Sequence, residues 1–261
     1  METVFRKEIK YLISRREAMI LQQKLDGIME RDIHGENGRY FIRSQYYDSI
    51  DDQDLWDNLD GMYEKRKIRL RIYSLGDLSA KLEFKCKNGF DGVKYSLPVS
   101  REQALRMEQG DASFLLEYET ELAMRLYLRI TQGCYRPKTI IDYQRLAFAY
   151  PAGDVRITFD TDIRGALYPY GLFEEVGTDA LGSTEQVLME VKYTGFLPDM
   201  IAETLKEADE LLKVANLQLQ HSETNITEFI QAVNVARDIR RGYLETVYQY
   251  NIAALEYELF K

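Results

Sequence analysis

Only two cysteines occur in the chain, Cys86 and Cys134, and their spacing is neither that of a metal site nor of a disulfide framework. They read as reduced thiols of a cytoplasmic protein. Long apolar runs are missing too: nothing approaches the roughly 18 residues needed to span a bilayer, so no intrinsic membrane span is expected. The opening METVFRKEIKY has no apolar core of a secretory signal. Glycine-rich strand-to-helix fingerprints and Walker sequences are absent, which leaves ordinary nucleotide folds with little support. Histidine is scarce as well. His34 stands in a glycine-containing loop and reads as exposed, and His221 reads as a cap or core contact rather than a base, so no catalytic triad suggests itself. Basic charge is in the minority: the 261 residues carry a formal net charge of -9, which argues against a general nucleic-acid coat. A small enclosed polyanion is still compatible, because local potential counts for more there than total charge.

What the sequence does contain is a local reversal of that charge. Residues 61–100 hold nine Lys or Arg against four Asp or Glu, a net +5 that leaves -14 for the rest. Within it, YEKRKIRLRIY places Lys65, Lys67, Arg69 and Arg71 at every second position. On a strand, period two sends all four to one face over roughly 20 Å. Mutually repelling cations on one face call for a polyanion or a matching acidic wall.

The pattern recurs. Arg6, Glu8 and Lys10 share a face in the first strand, as do Lys81, Glu83, Lys85 and Lys87 in SAKLEFKCK and Glu190 with Lys192 in LMEVKY. Tyr143 and Arg145 alternate likewise, as do Arg156, Thr158 and Asp160. The opposite faces supply Ile68, Leu70, Ile72, Leu82, Phe84, Ile157 and Phe159 for a core. One such strand would read as a solvated sheet surface, the role that suits Lys65, Lys81 and Lys87. Six together predict an α+β fold built on a closed antiparallel β-barrel, a tunnel with a basic lumen and helices outside. A single domain over residues 1–261 is expected, including helices near 200–215 and 226–247. Ser14 with Glu17 and Ser100 with Gln103 have capping-box spacing and should start helices. Glu190 and Glu8 have two readings, ligand to a hard divalent cation or balance for neighbouring lysines.

Seven segments, FRKEIKY, SQYYD, KIRLRIY, LEFKCK, IDYQRLAF, VRITFD and LMEVKY, spread over about 190 residues in order. Together they resemble the VTC-type polyphosphate polymerase domain of the triphosphate tunnel metalloenzyme superfamily. The resemblance implies a basic antiparallel tunnel and Mn²⁺- or Mg²⁺-dependent chemistry on triphosphates. It implies that Lys10, Arg69, Arg71, Lys85, Arg145, Arg156 and Lys192 form the catalytic phosphate-binding wall, with Tyr143 reaching a phosphate. Glu190, and with it Glu8, would face the metal. Arg6, Lys67, Lys94 and Ser222 are assigned to binding at the edges of that wall. Arg6 replaces the first glutamate found in many hydrolytic relatives, which favours the polymerase branch. Glu223 departs from a family Ser-Lys pattern, putting an anion after Ser222. The function expected is therefore transfer of the terminal phosphoryl group of ATP to polyphosphate with release of ADP. A triphosphate hydrolase and a non-catalytic polyphosphate sensor are the alternatives, and a membrane-bound partner stays open.

Overall fold

The computed structural model of the chain describes residues 6–35, 37–88, 91–167 and 170–212. Strand β1 (Arg6–Ser14) ends where the Ser14 hydroxyl accepts from the Glu17 N–H and the Ser14 N–H donates to the Glu17 carboxylate. That capping box starts α1 (Arg15–Asp26). A two-residue strand, β2 (Glu30–Arg31), leads to β3 (Arg39–Asp48), the short helix α2 (Gln53–Leu59) and the basic strand β4 (Glu64–Ile72). Strands β5 (Ser79–Asn88) and β6 (Asp91–Ser100) follow, and a second capping box, Ser100 with Gln103, opens α3 (Arg101–Glu108). A 3-10 segment over Ser113–Glu117 and α4 (Glu121–Gln132) occupy the helical middle. Strands β7 (Arg136–Tyr150), β8 (Val155–Leu167), β9 (Asp179–Ala180) and β10 (Gln186–Thr194) precede α5 (Asp199–Leu212). The helix expected at 226–247 lies outside the described residues.

Every strand pairing is antiparallel, in the order β1-β10-β8-β7-β3-β4-β5-β6, with β2 on β7 and β9 on β8. The expected closed barrel is corrected by this order. β1 and β6 stand at its two ends, and among the described residues no pairing joins them, so the fold there is a mostly antiparallel open sheet with few helices. Closure requires strand number, tilt and stagger to agree, and alternation along single strands encodes none of these. Pro98 on β6 lacks an N–H, as suits an edge strand. The sheet curls nonetheless: Glu8 on β1 lies 3.9 Å from Lys85 on β5, across the charged face.

The two faces separate as the alternation predicts. Apolar side chains on the convex side form two cores. Ile68, Leu70, Ile72, Leu82 and Phe84 pack with Met107 of α3, Phe114, and Leu126 of α4. Phe148, Ile157, Phe159, Met189 and Val191 pack with Leu21 and Leu25 of α1 and Ile201 of α5. Each such buried side chain stabilises the fold by about 1.5–3 kcal/mol, which pins the register and leaves the charged side chains no choice of face. Among the described residues no helix is long and apolar enough to cross a membrane.

Candidate functional site: a charged concave sheet face

Cross-strand register gathers the charged residues into one continuous field. Tyr46 stands opposite Arg69, Arg69 opposite Glu83 and Glu83 opposite Ser96. Ser44 stands opposite Arg71, and Lys67 opposite Lys85, which faces Lys94. Further round, Tyr40 faces Arg145 and Arg145 faces Asp160. Arg156 faces Lys192 and Lys192 faces Glu8, while Glu190 stands between Thr158 and Lys10. Directly paired residues share a face, so Lys10, Lys67, Arg69, Arg71, Lys85, Lys94, Arg145, Arg156 and Lys192 line one concave surface.

Three sectors can be distinguished. In the first, Arg69 Nε donates to Glu83 Oε2 at 2.6 Å and Arg71 Nη1 lies 3.8 Å from the same oxygen. Lys94 pairs with the other carboxylate oxygen. Arg69 also donates to the Tyr46 hydroxyl at 2.9 Å, and Arg71 to Ser44 Oγ and the Tyr143 hydroxyl, each at 3.3 Å. Burial alone would raise the Glu83 pKa, but Arg69, Arg71 and Lys94 outweigh it and hold the carboxyl at about 2. Burial lowers the Lys94 pKa despite Glu83, with help from Arg69 and Arg71. Tyr46 is pushed up by burial and down, with net effect downward, by Arg69, Arg71 and Lys67.

The second sector is a pair of carboxylates between ammonium groups. Lys192 Nζ lies 2.7 Å from Glu190 and 3.9 Å from Glu8, and Lys10 Nζ 3.6 Å and 3.4 Å from the same two residues. Burial works to raise the Glu190 pKa. Its hydrogen bond with Glu8 and the charges of Lys192 and Lys10 prevail, keeping it well below the usual carboxylate range. Burial and Arg145 depress Lys192 against the pull of Glu190 and Glu8, whereas for Lys10 those carboxylates overcome burial and raise it.

In the third sector Arg145 forks onto Asp160 with both hydrogen bonds at 2.6 Å. Arg156 donates to Asp32 at 2.6 Å and to the Tyr40 hydroxyl at 3.0 Å. Asp32 also accepts from the His34 N–H, and its carboxylate lies 2.5 Å from His34 Nδ1. The loop that presents both residues turns at Gly35, whose φ of 76° suits glycine and where a Cβ would meet the Arg39 carbonyl at 2.0 Å.

The structure thus brings together Lys10, Arg69, Arg71, Lys85, Tyr143, Arg145, Arg156, Lys192, Lys67 and Lys94, with Glu8 and Glu190 among them. Arg6 lies on β1 opposite Thr194. Ser222 and Glu223 lie outside the described residues. The enclosed lumen expected from sequence is corrected to an open concave face, on which most of the named cations have carboxylate partners. Glu83 and Asp160, absent from the expected site, carried the same signal as the cations, alternation on a charged strand. Asp32 carried none, because loop residues have no period. Among the described residues no group of three or more His, Cys, Asp or Glu converges on one point.

The VTC domain matches residues 5–216. No curated protein matches the chain. Of the solved structures, a putative adenylate cyclase from Bacillus halodurans is 12% identical over 83% of this chain and 96% of its own, with a TM-score of 0.48. PH1012 from Pyrococcus horikoshii is 10% identical over 82% and 92%, with a TM-score of 0.35. A chain of the Schizosaccharomyces pombe Mediator head module is 10% identical over 80% and 95%, with a TM-score of 0.42. Because the domain match covers most of the sequence, the chain belongs to the VTC domain family.

Proposed function

We propose that the protein is a metal-dependent polyphosphate polymerase that transfers the terminal phosphoryl group of ATP to a polyphosphate end and releases ADP. The observation that carries this reading is the concave face, where the cations named above outnumber the carboxylates Glu8, Asp32, Glu83, Asp160 and Glu190 by nine to five. Phosphoryl transfer asks mainly for alignment and charge neutralisation, and guanidinium forks and mobile ammonium groups supply both. Arg69, Arg71, Lys94 and Lys85 hold the triphosphate from one side of the face, and Lys10, Lys192, Arg145 and Arg156 from the other. The Tyr143 hydroxyl accepts from Arg71, which leaves its own proton to donate to a phosphate oxygen. An anionic oxygen of the acceptor attacks the terminal phosphorus, and the bond to the bridging oxygen breaks with its electron pair leaving on ADP. The nucleophile needs no base, because it is already an anion.

The carboxylate pair fits a hard cation that takes its other ligands from phosphate and water. Glu190 and Glu8 would hold Mn²⁺ or Mg²⁺, which neutralises charge on the transferring group. Free Cys86 and Cys134 support a reducing compartment, and a cytoplasmic single domain spanning 1–261, without nucleic acid, is part of the proposal. Incubation with ATP and Mn²⁺ is expected to give acid-stable phosphate chains and ADP. Free phosphate as the sole product would favour a hydrolase, and binding without turnover would favour a sensor.

A further inference from the structure

One carboxylate on the concave face does a job that neither metal binding nor catalysis explains. Glu83 is only 3% exposed, lies on the central part of β5, and faces Arg69 and Arg71 from β4 and Lys94 from β6. Tyr46, from β3, closes the far side of Arg69. Arg69, Arg71 and Lys94 are among the groups assigned above to hold the triphosphate from one side of the face. An arginine meets a carboxylate and a phosphate through the same N–H geometry, and Glu83 already takes Arg69 Nε and pairs with Lys94, so an arriving phosphate group competes with it for those two donors and for the nearby charge of Arg71. Two anions cannot share them without cost, since like charges brought together in a partly dry site oppose binding.

We propose that Glu83 is a resident counter-anion that stands in for a phosphate group on Arg69, Arg71 and Lys94 and competes with the phosphate chain for them. The inference rests on the functional reading above and adds a residue that sets affinity. In the free protein Glu83 keeps three cations ordered and aimed into the cleft. In the bound protein its repulsion weakens the grip on each phosphate, so that a chain exchanges positions instead of being trapped.

The consequence runs opposite to the usual loss on removing a buried ion-pair partner. Glu83→Gln keeps the size and an acceptor for Arg69 but removes the charge. Calorimetric titration with inorganic tripolyphosphate at pH 8 is expected to show binding about tenfold tighter than wild type. The advantage should shrink as pH falls to 5, because phosphate crowding lets the displaced Glu83 take up a proton in the wild-type complex. Equal or weaker binding by Glu83→Gln at pH 8, or a ratio that ignores pH, would overturn the inference. Should that variant not fold, Glu83→Asp draws the charge back by one methylene, and a gain of about threefold is expected; no gain there overturns it equally. Absence of tripolyphosphate binding by wild type at low salt would instead overturn the functional reading on which the inference rests.

Discussion

Glu83 shows how much of the site a single position can hide. Its place on the charged face follows from period two, since it alternates with Lys81, Lys85 and Lys87. Its partners do not, because register across β4 and β6 decides that Arg69, Arg71 and Lys94 surround it. The same holds for Asp160 beneath Arg145, whereas Asp32 beside Arg156 is invisible in a loop. Ion pairing also makes a measurable stability term. The carboxyl of Glu83 titrates at about 2 in the fold against 4.5 ordinarily. A depressed carboxylate stabilises the fold above its unfolded pKa, and that contribution is lost as pH falls from 4.5 through about 2. The loss should be about 3 kcal/mol, read as a fall in the urea midpoint of wild type below pH 4.5. Glu83→Gln is expected to show a flatter acid limb, and parallel limbs would contradict the assignment.

At the level of elements, the helix starts divide into legible and hidden ones. Ser14 and Ser100 cap α1 and α3 as their spacing predicts. Helix α2 is different. Asp52 occupies its cap position with φ at 57° and makes no side-chain cap bond. The work passes to Asp48 at the end of β3, whose carboxylate accepts from the N–H groups of Ser49 at 2.7 Å and of Asp54 and Leu55 at 2.9 Å. A cap that reaches back over four residues has no sequence signature, because the usual pattern places the acceptor immediately before the helix. Asp48→Ala should destabilise the protein by about 1–2 kcal/mol in chemical denaturation. The effect on tripolyphosphate affinity should be small, since Asp48 is no part of the charged face.

For the whole molecule, segregation of faces was readable and closure was not. Apolar positions such as Ile68, Leu70, Ile157 and Phe159 lie in the convex cores, which forces their charged neighbours onto the concave side. That β1 and β6 do not pair with each other among the described residues depends on stagger accumulated over the entire sheet, a quantity no single strand carries. The curl still brings Glu8 of β1 to Lys85 of β5, so cations far apart in sequence face one cleft within a protein of net charge -9. Attraction of this local kind should weaken with added salt.

Titration of the wild-type protein and of Arg69→Gln with inorganic tripolyphosphate at low salt bears most directly on whether the concave face is the phosphate-binding surface. Arg69→Gln deletes one charged fork, and with it a partner of Glu83, while sparing Glu8 and Glu190 on the metal side. Wild type is expected to bind and the variant to bind at least about tenfold more weakly, at roughly 1.4 kcal/mol per decade. Unchanged affinity in Arg69→Gln, or no binding by wild type, would contradict it.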